Sequence, residues 1–311
     1  MTAPLRIGTR GSALALWQAR TVAALLETRG TAVEIVVIKT EGDRLQDAPL
    51  TEAGNKGLFV KEIEEALLEG RVDLAVHSAK DMPAVSREAL AIAAVLPRED
   101  SRDALVLPGA PAATAFEIAT TALGPTPSIG TGSVRRIAQL AVLVPGARFQ
   151  PIRGNVDTRL RKLDAGDFDA IVLASAGLRR LGLGARISAA IPHAACIPAP
   201  GQGIVAIQIR RDDAPARRAV APLNDALAGA SLEAERAVVA ALGGGCRLPL
   251  GAVAVPSGDE LEMRAIVASP DGGRRVTRSG RGPLARPAEL GRRIAEDLAK
   301  AGAIAILDEV R

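Results

Sequence analysis

Cysteine, histidine and aromatic residues are scarce in this sequence of 311 residues, which contains two Cys, two His, four Phe, one Trp and no Tyr. Because Cys196 and Cys246 are the only thiols, a framework of disulfide bonds is not expected. No pair of Cys or His has the spacing of zinc ligands, so we predict no metal site. The shortage of aromatic rings removes the stacking surface of single-stranded nucleic-acid binders, so we predict no nucleic-acid partner.

Long apolar runs are also missing. No stretch approaches the roughly 18 consecutive apolar residues of a membrane helix. Arg6 and Arg10 stand near the beginning of the sequence without the apolar segment of a signal peptide. We therefore expect a cytoplasmic protein that does not span a membrane. Hydrophobic residues make up 48% of the chain, enough for a large core, and its 311 residues exceed what one core spans, so we expect two or three domains.

The charge of the chain is modest but its composition is uneven. There are 39 basic and 35 acidic residues, and only six of the basic residues are lysine. One interpretation is the codon bias of a GC-rich genome, since Ala and Gly are also abundant. The other is function, because arginine binds carboxylates and phosphates through two parallel hydrogen bonds. The positions of the arginines along the chain have to decide between the two.

Hydrophobic periodicity predicts alternating strands and helices in the first two thirds of the chain. The pattern begins with a strand at Leu5 to Thr9 and restarts after Ser101. Two short echoes link the halves. Gly8 to Ser12 is similar to Gly130 to Ser133, and residues 72–76 are similar to residues 168–172. We therefore expect two similar α/β domains with mainly parallel sheets, facing one cleft.

The last third has a different pattern. A predicted helix over Leu232 to Leu242 precedes three alternating stretches, Ala252 to Val255, Leu261 to Ala268 and Arg275 to Ser279, which are separated by turns. A predicted helix over Pro287 to Lys300 follows. This pattern indicates a small α+β domain with an antiparallel sheet, beginning near residue 221.

The segment Gly130 to Gln139 is the strongest candidate for an anion site. A strand end turns through Thr131 and Ser133 into a helix whose first turn carries Arg135 and Arg136. Cations oppose the helix dipole there, whereas an anion would be stabilised by free N–H groups and guanidinium groups together. The alternative is an ordinary Ser133 cap beside two solvated arginines.

Other turns that carry arginine follow predicted strands. Arg10 precedes the Ser12 cap, and Arg153 stands before Gly154, with Arg159 one helical turn later. Arg180 lies near a predicted helix C-terminus, where a cation is favourable without any ligand. Each turn alone is equally consistent with solvated surface arginines. Because α/β folds bind ligands at strand ends, the set favours a polyanionic small molecule over DNA.

Two further segments carry candidate chemistry. Asp81, after a predicted buried strand and beside Lys80, could stabilise a cation or move a proton; it could equally cap a turn before a proline. Cys246 follows three glycines and precedes Arg247, which favours an exposed thiol with a lowered pKa, although a packed cysteine remains the alternative. Cys196, in an apolar setting, is predicted to be a buried hydrophobic residue.

Taken together, these motifs resemble those of the porphobilinogen deaminase family, also called the hydroxymethylbilane synthases. The motifs that carry the resemblance extend across the chain: residues 6–12 (RIGTRGS), 57–62 (GLFVKE), 77–81 (HSAKD), 130–136 (GTGSVRR), 153–156 (RGNV), 201–203 (GQG) and 244–246 (GGC). No single motif is specific, but the combination is.

The resemblance implies a fold. Two doubly wound α/β domains of the type II periplasmic-binding-protein kind would precede a small C-terminal α+β domain with a three-stranded antiparallel sheet. We expect the first domain over residues 1–99 and 200–220, the second over residues 100–199, and the third over residues 221–311. The loop from Thr40 to Gly57 and the following helix, with Lys56 and Phe59, would form a lid over the cleft.

The resemblance also implies an activity. The enzyme would be a transferase of tetrapyrrole (haem) biosynthesis that carries a dipyrromethane cofactor on Cys246 through a thioether. Four porphobilinogen units would be added with loss of ammonia, and water would release linear hydroxymethylbilane for uroporphyrinogen III synthase. Asp81 would be catalytic, stabilising positive charge on the pyrrole nitrogens. The family resemblance favours a monomer. The residues implied in binding cofactor and substrate are Arg10, Ser12, Lys56, Phe59, Ser78, Lys80, Thr131, Ser133, Arg135, Arg136, Arg153, Arg159, Arg180 and Gln202.

Three positions depart from the family pattern: Gly132 stands where many members have serine, Pro200 replaces a small aliphatic residue, and Asn55 replaces a glycine. The alternative functions are a periplasmic-type anion-binding receptor, which gives Cys246 no part, a nucleic-acid-binding protein, and a Cys-dependent hydrolase. The hydrolase would need an activating base near Cys246, and neither histidine is indicated as one.

Overall fold

The computed structural model describes residues 3–40, 60–109, 113–243 and 248–310. The chain divides into two compact units. One consists of the residues up to Arg98 together with Ile204–Gly229, and the other of Glu99–Gly203 together with the residues from Ala230 onward. Within the described residues, no helix has the length and apolar character needed to cross a membrane.

The secondary structure follows the predicted alternation. In chain order the strands are β1 (Leu5–Thr9), β2 (Val33–Val37), β3 (Leu74–Ser78), β4 (Leu90–Val95), β5 (Asp103–Val106), β6 (Ser128–Gly130), β7 (Arg148–Gln150), β8 (Ala170–Ala174), β9 (Ala189–Ala190), β10 (Val205–Arg210), β11 (Leu250–Ser257), β12 (Glu260–Ala268) and β13 (Arg275–Pro283). The helices are α1 (Ala13–Glu27), α2 (Lys61–Leu68), α3 (Phe116–Thr121), α4 (Val134–Leu140), α5 (Val156–Asp164), α6 (Ser175–Arg180), α7 (Ala214–Val220), α8 (Ala226–Ala241), α9 (Pro287–Lys300) and α10 (Ala303–Asp308).

The first unit is built on a five-stranded sheet with the order β2-β1-β3-β10-β4. Strand β1 pairs in parallel with β2 and β3, whereas β10 runs antiparallel to both β3 and β4. Apolar side chains cover both faces: Ile7 and Val76 pack toward α1 on one face, while Ala75 packs with Ile63 and Leu67 of α2 on the other. A strand buried on both faces reads as a continuous apolar run, which explains why β1 was predicted from the sequence.

The second unit contains a sheet with the same arrangement, in the order β7-β6-β8-β5-β9. Here β6 pairs in parallel with β7 and β8, and β5 is the antiparallel strand, paired with β8 and β9. Each sheet is therefore mainly parallel, with one antiparallel strand in the fourth position. The prediction of two similar α/β halves is confirmed.

The two sequence echoes fall at equivalent places in the two sheets. Gly8 is the penultimate residue and Gly130 the last residue of the second strand in their respective sheets. A Cβ atom on Gly8 would lie 3.0 Å from the Val72 side chain, and one on Gly130 would lie 3.0 Å from the Phe168 side chain. Val72 and Phe168 begin the second echo in each half. The glycines thus leave room for the same neighbouring segment, a packing reason for the repeated pattern.

The second unit also contains a three-stranded antiparallel sheet in the order β11-β12-β13. Its register pairs Leu250 with Val267 and Val267 with Val276. One face packs on α8, α9 and α10, with Leu290 of α9 and Met263 of β12 in a common core. The predicted antiparallel sheet and closing helix are confirmed, and the observed strands are longer than the predicted alternating stretches.

Candidate active site and anion-binding turns

A pocket in the first unit opens at the carboxyl ends of β1 and β3, the end where parallel strands of α/β sheets bind ligands. It encloses about 420 Å³ of empty space, part of which is open to solvent. Polar groups from two turns meet apolar side chains of α1 and α2. The lining residues are Arg10, Ser12, Leu14, Ala15, Gln18, Val60, Ile63, Val76, His77, Ser78 and Asp81.

Asp81 is placed at this pocket by the end of β3. The chain leaves β3 through a single 3₁₀ turn, Ala79–Asp81, closed by a hydrogen bond from Met82 N to Ala79 O. The side chain is partly exposed. In the described part of the chain, no hydrogen bond or ion pair joins the Asp81 carboxylate to another residue. The geometry leaves both carboxylate oxygens available to a ligand in the pocket.

Ser12 and Ser78 line the same pocket from two elements. The Ser12 hydroxyl caps α1 by accepting a hydrogen bond from Ala15 N at 3.3 Å. The Ser78 hydroxyl accepts one from Gln18 Nε2 at 2.8 Å. The N-terminus of the 15-residue helix α1 therefore faces the pocket, and its unpaired N–H groups favour a negatively charged ligand. Lys80, between Ser78 and Asp81, is half-buried.

In the second unit, the corresponding turn runs from Thr131 to Ser133 at the end of β6. Ser133 is the predicted cap: its hydroxyl accepts from Arg136 N at 3.4 Å, and the Thr131 hydroxyl accepts from Ser133 N at 3.3 Å. At Gly132, a Cβ atom would come no closer than 3.6 Å to the Ile152 carbonyl oxygen. The serine that many family members have there would fit, so the backbone does not require glycine.

Arg135 and Arg136 point inward rather than to solvent. Asp103, which is fully buried in β5, accepts a hydrogen bond from Arg135 Nη1 at 2.7 Å on one oxygen. Its other oxygen accepts from Arg136 Nη2 at 2.7 Å and Nε at 3.0 Å. The two guanidinium groups also donate to the carbonyl oxygens of Ile197 and Val172. This pairing argues against the alternative of solvated arginines, while the predicted contact of both arginines with a ligand remains a prediction.

Asp103 is the residue that sequence reasoning missed. Burial by itself would raise the pKa of Asp103, but the two guanidinium groups outweigh it and hold the pKa far below its ordinary value. Gln202 joins the cluster, donating from Nε2 to Asp103 at 2.9 Å and to Ser101 O at 2.8 Å. A lone aspartate in an apolar strand was the available signal, because a buried carboxylate needs cationic partners.

The remaining predicted cations lie in the second unit. The turn before Arg159 contains Gly154 with φ of +103°, a left-handed conformation that favours glycine. Arg159 Nε donates to the Gly154 carbonyl oxygen at 2.9 Å, and Arg180 Nη2 donates to the Gly203 carbonyl oxygen at 2.7 Å. Arg153 is half-buried after β7. Their contacts with a ligand remain predictions.

Three predicted site residues lie outside the described residues: Lys56, Phe59 and Cys246. The predicted lid, Thr40 to Gly57, also falls there apart from Thr40. Cys196, the other thiol, is fully buried as predicted, and burial raises its pKa to about 12.

The chain matches two family models. One, described as the porphobilinogen deaminase dipyrromethane cofactor binding domain, covers residues 5–218, and the other, described as the porphobilinogen deaminase C-terminal domain, covers residues 230–300. The chain belongs to the porphobilinogen deaminase family. The predicted family, porphobilinogen deaminase function and dipyrromethane cofactor are thereby confirmed, and the receptor alternative is not favoured.

Curated members of the porphobilinogen deaminase family are similar over almost the whole chain. The porphobilinogen deaminase of Bordetella parapertussis is 48% identical over 309 residues, which are 98% of this chain and 96% of that protein. That of Acidithiobacillus ferrooxidans is 47% identical and covers 99% of this chain and 98% of its own length.

Among solved structures, the Bordetella pertussis BvgS periplasmic VFT2 domain aligns with a TM-score of 0.39 and 17% identity, covering 70% of this chain and 85% of that one. A putative periplasmic sulfonate-binding protein SsuA from Methylobacillus flagellatus aligns with a TM-score of 0.38 and 16% identity, covering 75% of this chain and 67% of that one.

Proposed function

We propose that this protein catalyses the hydroxymethylbilane synthase reaction, a group transfer in which four porphobilinogen units join head to tail. Each addition releases one ammonia, and water finally releases the linear tetrapyrrole. The observation that carries the proposal is the Asp81 carboxylate, which has no protein partner in the described chain and lines a pocket beside Arg10 and Ser12.

Asp81 is the catalytic residue in this proposal. When the C–N bond of the substrate's aminomethyl group breaks, the electron pair leaves with ammonia, and positive charge develops on the pyrrole nitrogen. A carboxylate fixed in the pocket stabilises that charge without first losing a protein partner. The same carboxylate can accept the proton that the α-carbon of the attacking pyrrole loses once the new C–C bond has formed.

The anionic side chains of the substrate explain the cations and hydroxyls. Each porphobilinogen carries an acetate and a propionate, so the growing chain gains two carboxylates per addition. In the first unit we assign their binding to Arg10, Ser12, Lys80 and the N-terminus of α1. In the second unit we assign it to the hydroxyls of the Thr131 to Ser133 turn and to the predicted arginines there.

The residues of the pocket fit a dipyrromethane. Its carboxylates match Arg10, Ser12 and the α1 N-terminus, and its pyrrole N–H groups match the Asp81 carboxylate. When bound through a thioether, which we propose is formed by Cys246, the dipyrromethane supplies the pyrrole carbon to which the first substrate is joined. The chain's own contribution is to hold the carboxylates, orient the rings and stabilise charge at the ring nitrogens.

The Asp81→Asn variant tests the catalytic assignment, since it keeps the shape and removes the charge. We expect turnover of porphobilinogen to fall by at least about 10², with an unchanged circular dichroism spectrum. The matched control is Asp212→Asn, which removes an exposed carboxylate from the same unit and should leave turnover unchanged. Normal turnover in Asp81→Asn would refute the assignment.

The attachment site is tested by the intact mass of the denatured protein. We expect an excess equal to two porphobilinogen units less two ammonias, mapped to Cys246 by peptide digestion. Cys246→Ser should lack this adduct even after incubation with porphobilinogen, whereas Cys196→Ser should retain it, because Cys196 is buried in the second unit. An adduct on any other residue would contradict the proposal.

Three further predictions accompany the proposed reaction. We propose that the protein works as a monomer in the cytoplasm and that uroporphyrinogen III synthase consumes its product. The family membership and the cofactor support them. Sedimentation analysis at increasing protein concentration tests the monomer directly.

A further inference from the structure

A chain of buried hydrogen bonds in the first unit connects the pocket with the protein surface. His77, at the end of β3, lines the pocket and is 5% exposed. Its Nε2 lies 3.1 Å from Oε1 of Gln208, which is completely buried in β10. Gln208 Nε2 donates to Oε1 of Glu64 at 2.9 Å, and Oε2 of Glu64 lies 3.1 Å from Arg87 Nε. The proposed reaction assigns no part to these four residues.

Only one assignment of donors and acceptors is consistent along this chain of hydrogen bonds. Glu64 on α2 is 4% exposed and paired with Arg87, so its carboxylate is ionised and can only accept. Gln208 must therefore turn its NH₂ group to Glu64 and its oxygen to His77. Because that oxygen can only accept, Nε2 of His77 must carry the hydrogen. The second ring nitrogen, Nδ1, then has a lone pair and no hydrogen.

Charged groups lie at both ends of this chain of hydrogen bonds. Glu64 faces Gln208 from α2 and is neutralised by Arg87, while Asp81 and Arg10 belong to the lining of the same pocket. Burial lowers the pKa of His77 to about 4, and its hydrogen bond to Gln208 opposes this effect only in part. The ring is therefore uncharged at neutral pH.

We propose that His77 is a positioning residue, held by Gln208, Glu64 and Arg87 as the uncharged tautomer with hydrogen on Nε2. An imidazolium in this wall would add a cation where, in the proposed reaction, Asp81 stabilises positive charge on the substrate. Holding the ring neutral keeps Asp81 free of a competing cationic partner. This inference rests on the proposed function for its purpose, but the hydrogen on Nε2 follows from the hydrogen bonds and the absence of charge from the burial of the ring.

Nitrogen NMR of the holoenzyme with ¹⁵N-labelled histidine tests the tautomer. The chain contains only two histidines, so a His193→Gln variant assigns the His77 signals. We expect hydrogen on Nε2 and chemical shifts that stay constant from about pH 5 to 8. Hydrogen on Nδ1, or titration near the ordinary pKa of 6.5, would overturn the proposal.

The Glu64→Gln variant tests whether the distant carboxylate sets the tautomer. With an amide at position 64, Gln208 can take either orientation, so both His77 tautomers should appear. Because both tautomers are uncharged, kcat and KM should stay at the parent values, and the nitrogen spectrum reports the change. Glu65→Gln is the matched control: it removes a half-exposed carboxylate of the same helix that forms an ion pair with Lys61, and it should leave the spectrum and kcat unchanged. A single Nε2–H tautomer in Glu64→Gln would refute the part played by Glu64.

The NMR measurement and the turnover measurement test separate claims, so either claim can be refuted without the other. The wild-type spectrum decides the tautomer even where Glu64→Gln does not fold. If Asp81→Asn kept normal turnover, the proposed reaction would lose its catalytic residue. The NMR signals of His77 would still test the tautomer. Conversely, Asp81→Asn could be inactive while the parent protein shows the Nδ1–H tautomer. That pair of results would refute only the inference about His77.

Discussion

Replacing Asp103 by asparagine is the most demanding test of the buried cluster in the second unit. The substitution keeps the size of the side chain and removes the charge. Arg135 and Arg136, both less than 10% exposed, would lose the carboxylate that now accepts three of their hydrogen bonds at 2.7–3.0 Å. Breaking a buried ion pair by removing one partner costs about 3–5 kcal/mol, because the remaining charge stays buried without compensation.

Scanning calorimetry measures this loss. At about 2–4 °C per kcal/mol for a unit of this size, the melting temperature should fall by about 6–20 °C. Asp164→Asn is the matched control: it breaks a bidentate pair with Arg186 in the same unit, but its side chain is 45% exposed, so we expect a loss of at most about 1 kcal/mol. If Asp103→Asn had the same melting temperature as this control, the argument from burial would be refuted.

The same variant has a defined pH dependence. The guanidinium groups hold the pKa of Asp103 below its unfolded value, so its contribution to stability is complete above that unfolded value and is lost as the pH falls toward the folded value. The difference in melting temperature between parent and Asp103→Asn should therefore be constant above about pH 5 and shrink below about pH 4. A difference that grew in acid would contradict the sign.

Two substitutions and one reactivity measurement test other parts of the structure. Gly291→Ala should destabilise the protein by about 1–3 kcal/mol in urea unfolding, because its Cβ would overlap the Ala234 carbonyl oxygen of the facing helix. Gly154→Ala should lose at least about 1–2 kcal/mol, since φ is +103° and the new Cβ would lie 2.7 Å from Thr158 Cβ. Cys196 should resist iodoacetamide in the native protein at pH 8, because burial raises its pKa to about 12.

Each of these changes has a control. Gly229→Ala lies in helix α8, where the new Cβ would lie 3.8 Å from its nearest packed neighbour, and it should stabilise the protein by about 0.5–1 kcal/mol. Helix propensity alone would predict the same stabilisation for Gly291→Ala, so opposite signs would show the effect of the overlap. Gly166→Ala, with φ of +85° and open space around it, should show only backbone strain. Denaturation should expose Cys196 to the reagent. Rapid alkylation of Cys196 in the native protein would show that its thiol is not buried.

Elements with a local cause were predictable from the sequence. Strand β1 was predicted at its observed bounds, and Ser12 was predicted as the cap of the helix that follows, because an apolar run and a capping serine are local features of the chain. The Ser133 cap was predicted for the same reason. Strand β10 was not predicted, since its pairing with β3 joins residues more than a hundred positions apart.

The sequence by itself determined the fold class and the family, and it singled out Asp81 and Cys246 for the chemistry, because these signals are short motifs whose members are neighbours in the chain. Only the tertiary structure decided that Arg135 and Arg136 point toward a buried carboxylate and that His77, Gln208 and Glu64 form one chain of hydrogen bonds. The physical reason is distance along the chain. Burial and hydrogen-bond direction depend on residues brought together by folding, and a side chain's sequence neighbours do not show which groups surround it.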